Sequence, residues 1–144
     1  MIAIIKNEDE MRQVVLAFMS DIKGGDLILL NGELGAGKTT FTKCLVKELG
    51  ADMDVTSPTY NIAQEYEVDG EGFEKIIHVD LYRLEGKVHE DPIVKEVLEN
   101  RQKNDRITVI EWANKLAGVK GEWNILFEHG DIADARIVRI NENE

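Results

Sequence analysis

A single cysteine, Cys44, stands in the 144 residues, so no internal disulfide is available and a reducing compartment fits. Cys44 falls within a stretch of helical spacing, where its plain reading is a small packed side chain. Prolines are scarce as well: Pro58 and Pro92 are the two present, each at an expected element boundary, and no proline-rich linker, low-complexity tract or internal repeat divides the chain. Long apolar runs are missing too. Met1 to Ile5 is far too short for a signal-peptide core, and no stretch approaches the length of a membrane span, which makes a cytoplasmic protein without membrane contact the expectation. Basic residues are in deficit, 17 Lys and Arg against 28 Asp and Glu, for a net charge of −11. That balance disfavours broad adhesion to phosphate backbones or anionic lipid, so any dealings with nucleic acid are expected to be indirect. The length suits one domain, residues 1–144, with a core of its own.

Against these absences stands one dense motif. Residues 32–39 read Gly-Glu-Leu-Gly-Ala-Gly-Lys-Thr and match G-x-x-x-x-G-K-[ST] at every fixed position. Glycines at 32, 35 and 37 allow the backbone to turn its N–H groups inward as an anion-binding nest. The nucleotide-binding candidates of this loop are Glu33, Gly35, Ala36, Gly37, Lys38, Thr39 and Thr40. Lys38 supplies a point charge to the β- and γ-phosphates, and Thr39 is placed to bind Mg²⁺. The flanks agree: Leu27-Ile28-Leu29-Leu30 is the continuous apolar run of a strand buried on both faces. Phe41, Leu45 and Leu49 follow at helical spacing, with Gly50 as a stop. Strand, loop and helix stand in the order that puts a helix N-terminus against the phosphates.

The remaining elements fill out an α/β chain. Residues 2–5 read as a first strand, Asn7-Glu8-Asp9-Glu10 as a capping box, and Met11, Val14, Val15, Phe18, Met19 and Ile22 as the apolar stripe of a helix. Tyr60–Val68 and Phe73–Asp80 flank Asp69-Gly70-Glu71-Gly72 as a hairpin; a polar helix is expected over about 90–103, and strands over 107–110, 123–128 and 135–141. The fold class that results is a P-loop, three-layer α/β arrangement whose sheet mixes parallel and antiparallel strands.

Phosphate chemistry needs a carboxylate at the end of a neighbouring strand, to hold the metal's water shell or to orient the attacking water. Two are on offer, Asp80 after Ile76-Ile77-His78-Val79 and Glu111 after Ile107-Thr108-Val109-Ile110. The hydroxyl-rich turn Thr56-Ser57-Pro58-Thr59-Tyr60 is either a plain capped turn or a switch that brings Thr59 to the γ-phosphate or Mg²⁺. His78 shares a strand face with Asp80, so it either touches the site or sits in the core as a hydrogen-bonded histidine. Trp112 is either a core aromatic or a lid. No histidine pair has metal-ligand spacing, and a zinc site has no support. Guanine-reading Asn-Lys-x-Asp is absent, the nearest approach being Asn114-Lys115-Leu116-Ala117, and Asp80 is followed by Leu81-Tyr82-Arg83 rather than by a switch glycine; ATP is the expected nucleotide.

Taken together, the glycine loop, Ser57-Pro58-Thr59-Tyr60, His78-Val79-Asp80-Leu81-Tyr82-Arg83-Leu84 and Ile110-Glu111-Trp112 resemble the bacterial TsaE family, small P-loop ATPases required for threonylcarbamoyladenosine modification of tRNA. The resemblance runs from about residue 7 to about 140. It implies Lys38, Asp80 and Glu111 as the catalytic set, with Thr39 and Glu111 on Mg²⁺, Asp80 beside the γ-phosphate, Thr59 in a switch-like loop, and Arg136 approaching the nucleotide. It also implies a partner-stimulated ATPase that binds the TsaB–TsaD heterodimer and resets it between rounds of transfer, meeting tRNA only indirectly. A small-molecule or nucleotide kinase is the alternative on the same loop, but the arginine-rich lid it would need is not evident. Residues 85–104 depart from the family pattern in being more polar and in carrying Pro92.

Overall fold

The computed structural model describes residues 1–51 and 62–143. The expected hydroxyl-rich turn, Thr59 included, lies outside them. Within them, strands β1 (Ile2–Ile5), β2 (Leu27–Gly32), β3 (Ala63–Glu67), β4 (Lys75–Asp80), β5 (Arg106–Glu111), β6 (Trp123–His129) and β7 (Arg136–Glu142) form one sheet in the order β1-β7-β6-β2-β5-β4-β3. The central strands β6, β2, β5 and β4 run parallel, while β7, β1 and β3 are antiparallel additions at the two edges. The mixed α/β sheet expected from the sequence is therefore present.

Helices α1 (Glu8–Met19) and α2 (Lys38–Glu48) cover one face, where Met11, Val15, Phe18, Phe41 and Leu45 pack on Ile28, Leu30, Ile107 and Val109. Helix α3 (Pro92–Asn100) lies on the other, with Val94 joining Leu29, Val79 and Ile110 in a second apolar cluster. The two clusters alternate along β2, as a strand buried on both faces must. Cys44 is half-buried beside the first cluster, and burial pushes its thiol up from the ordinary value, in line with a packing role.

Local chemistry sets the helix limits. The Asn7 side chain accepts from the Glu10 N–H at 2.9 Å, whereas the Glu10 carboxylate reaches one residue further back than a capping box would, to the Lys6 N–H, also at 2.9 Å. The apolar stripe extends to Ile22, but α1 stops at Met19; Ile22 is buried from the turn that follows. The helix expected over 90–103 is shorter at both ends. Asp91 caps it by accepting from the Ile93 and Val94 N–H groups, with Pro92 in the first turn where its missing N–H costs nothing, and a short 3₁₀ turn over Val88–Glu90 precedes it. At its end the Arg101 guanidinium folds back onto the Leu98 carbonyl. Among the described helices none is long and apolar enough to cross a membrane.

Candidate phosphate site

The loop between β2 and α2 departs from the sheet at a point where only glycine fits. Gly32 has φ 145°, and a Cβ there would lie 2.3 Å from the Phe127 carbonyl oxygen on β6. Gly37, at φ 116°, is the N-cap of α2, and no side chain caps it, so the first N–H groups of the helix face the loop.

Lys38 opens α2 and is almost fully buried, 4 % exposed. Its Nζ donates to the Gly32 carbonyl at 2.6 Å and to the Glu33 carbonyl at 2.8 Å, and lies 4.3 Å from the centre of the Trp112 ring. Burial pushes the ammonium down from the ordinary lysine value, against the pull of Glu111 and then Asp80. The lysine is thus held over the loop by two carbonyls and an aromatic face, in reach of two carboxylates' fields.

The carboxylates come from adjacent strands. Asp80 and Glu111 are register partners at the ends of β4 and β5, so their side chains stand together on the face that carries α2. Their settings differ. Glu111 is 2 % exposed, with Oε1 accepting from the Thr39 hydroxyl at 2.9 Å and Oε2 paired with His78 Nε2 at 2.5 Å. Asp80 is half-buried, and its Oδ1 accepts from the Tyr82 N–H at 3.0 Å. Thr39 Oγ1 and Glu111 Oε1 are hard oxygen donors a hydrogen bond apart at the mouth of the loop, a pair that fits Mg²⁺ completing its shell with water and phosphate.

Of the expected site residues, Lys38, Thr39, Asp80 and Glu111 are brought together. Arg136, at the start of β7, reaches the same loop: its Nε donates to the Gly35 carbonyl at 3.2 Å. It lines a cleft of about 190 Å³ with Asn7, Gly35, Gly37, Thr40 and Asp134, on the side of the loop away from the carboxylates. Glu33 and Ala36 are close to one another in the loop, where the Ala36 N–H donates to the Glu33 carbonyl at 3.1 Å. Trp112 does pack on the second cluster, but it also stacks on half-exposed Tyr82, ring centres 5.1 Å apart, and underlies Lys38. Its backbone is left-handed, φ 59°, which turns the chain away immediately after Glu111.

Several contributors had no legible signal. The Asn31 side chain accepts from the Asn114 N–H at 2.7 Å, and Lys115 Nζ donates to the Tyr82 and Leu84 carbonyls at 2.8 Å each. These tie the segments after β4 and β5 to each other and to β2, bracing both carboxylate-bearing ends. The Asn114-Lys115 pair, which superficially resembles part of a guanine-reading motif, is occupied in that brace.

A buried strand, a glycine loop opening a helix with lysine and threonine, and carboxylates ending the neighbouring strands define a P-loop α/β protein. Comparison with known proteins narrows this. The chain belongs to the TsaE family: the family profile described as threonylcarbamoyl adenosine biosynthesis protein TsaE matches residues 5–138. It is 38% identical over 116 residues to the tRNA threonylcarbamoyladenosine biosynthesis protein TsaE of Haemophilus influenzae, covering 79% of this chain and 68% of that one. To the protein of the same name from Bacillus subtilis it is 35% identical over 108 residues, covering 75% and 63%. These matches thus span about two thirds of the relatives' length. The crystal structure of Bacillus subtilis YdiB superposes with a TM-score of 0.72 at 26% identity, over 99% of this chain and 84% of that one. The family places the chain in tRNA threonylcarbamoyladenosine biosynthesis.

Proposed function

We propose that the chain is a Mg²⁺-dependent ATPase that binds the TsaB–TsaD heterodimer and resets it between rounds of threonylcarbamoyl transfer. The observation that carries the ATPase reading is the Thr39–Glu111 contact at 2.9 Å beside Lys38, with Asp80 as Glu111's register partner. The loop N–H groups and the α2 N-terminus would bind the phosphates, and the cleft lined by Asn7, Thr40 and Arg136 would take the nucleoside side. Lys38 would exchange its two carbonyl acceptors for β- and γ-phosphate oxygens. Thr39 and Glu111 would hold Mg²⁺, which when bound neutralises charge on the phosphate oxygens. Asp80, less buried than its neighbour, would orient the attacking water and take up its proton.

Partner dependence follows from charge and from the nature of the reaction. With a net charge of −11 the chain is poorly suited to grip tRNA by itself. Phosphoryl transfer is mostly positioning and charge stabilisation, which a partner completes by ordering a loop or adding a cation. Slow phosphate release by the isolated chain is expected, rising by about tenfold or more when TsaB and TsaD are added, a modest part of what a supplied cation achieves elsewhere. Little binding to tRNA alone is expected at physiological salt. Phosphate-release assays with and without the heterodimer, and with candidate acceptors, test this. Full-speed hydrolysis indifferent to the heterodimer, or transfer to an acceptor in place of release, would count against it.

A further inference from the structure

The pairing of His78 with Glu111 has no part in the chemistry set out above, and both side chains are buried. His78 lies in β4 two residues before Asp80, hence on the same face and two register positions deeper in the sheet, opposite Val109 on β5. Its side chain is fully buried, and it meets the ring of Tyr66, itself fully buried, at 6.5 Å between centres. From there Nε2 reaches diagonally up to Glu111 Oε2. A carboxylate oxygen of an ionised glutamate can only accept, so in this pair Nε2 is the donor. Among the described residues Nδ1 has no hydrogen-bond partner. Among those residues the imidazole therefore directs its one hydrogen bond at a single atom of the site.

That atom is the one facing away from the loop. Among the described residues two contacts fix the rotation of the Glu111 carboxylate: Oε1 accepts from the Thr39 hydroxyl, and Oε2 meets a donor that the sheet and Tyr66 hold in place. Outer donors of this kind fix which oxygen a carboxylate offers and how basic it is. We infer that His78 is a positioning residue, which holds Glu111 through Oε2 so that Oε1 is presented with Thr39 toward the metal of a nucleotide complex. This rests on the ATPase reading given above, and it adds a residue with no direct reach to the phosphates.

Three variants separate positioning from plain packing. His78→Leu fills the space without a donor, His78→Gln keeps an amide N–H near the position of Nε2, and His78→Asn keeps an amide but shortens its reach. The measurement is calorimetric binding of a non-hydrolysable ATP analogue across a Mg²⁺ titration, beside the same binding in EDTA and a thermal melt. The wild type is expected to bind more tightly as Mg²⁺ rises. The Mg²⁺ concentration at half effect should rise by about tenfold or more in His78→Leu and return to within about threefold in His78→Gln, the range expected when an outer donor is lost and restored. Affinity in EDTA should hold steady throughout. If His78→Leu does not fold, His78→Asn takes its place against His78→Gln, with the same difference expected. Wild-type Mg²⁺ dependence in the donor-less variant would overturn the inference, as would a glutamine variant no better than it. A wild type whose binding ignores Mg²⁺ would instead overturn the metal-dependent reading itself, and the positioning role with it.

Discussion

Lys38→Ala is expected to lower affinity for ATP by about 100-fold, or ~2.7 kcal/mol, the loss of one or two charge-assisted contacts to the β- and γ-phosphates. Isothermal titration of the folded variant measures it. The lysine is buried and donates to two carbonyls of its own loop, so a loss of fold has to be separated from a loss of binding. Those carbonyls belong to half-buried Gly32 and exposed Glu33, both able to take water as a substitute donor. The melting temperature should accordingly fall by less than about 5 °C. Undiminished affinity in such a variant would mean that the glycine loop is not where phosphate binds.

The two carboxylates are expected to fail differently. Glu111→Gln is nearly isosteric, and its amide can still accept from His78 and donate to Thr39, so the fold should be kept while a charge is lost from the metal side. The Mg²⁺ concentration needed for half-maximal hydrolysis should rise by about tenfold. Asp80→Asn keeps an oxygen for the Tyr82 N–H and should leave nucleotide affinity nearly intact. Its turnover should drop by about 100-fold, the range for removing a group that accepts a proton from the attacking water. Magnesium-dependent phosphate release and nucleotide binding, measured on both variants, decide the matter. If Asp80→Asn loses metal affinity alone, Asp80 belongs with Glu111 and Thr39 on the metal.

Much of this site was legible because its geometry is local. Residues 32–39 impose a backbone path by themselves, and the apolar runs ending in Asp80 and Glu111 announce strands whose ends project carboxylates. The Asp91-Pro92 pair was a readable helix start as well, and the expected onset near 90 erred only in overlooking how strongly a cap and a first-turn proline fix a boundary. What sequence order conceals is lateral. That β4 lies beside β5, with Asp80 level with Glu111 and His78 two register positions down, depends on strand order and register, which no periodicity encodes. The brace through Asn31 and Lys115 crosses 83 and 31 residues of chain and is invisible for the same reason. The left-handed turn at Trp112 is made by a residue type with no preference for it; the surrounding contacts impose it.

The chain's two tryptophans sit in unlike surroundings. Trp123 is buried at the far end of the β2–β6 pairing, four residues along the strand from the rung of Gly32, on the order of 13 Å away by strand rise, and its indole N–H is committed to Asp26. Trp112 lies under the one ammonium group that phosphate would draw away. Emission from the first should be a steady background, and emission from the second should change as the loop fills. On the proposed reading the protein would carry its own optical gauge of occupancy, and titrating nucleotide into the unlabelled chain while following indole emission tests it.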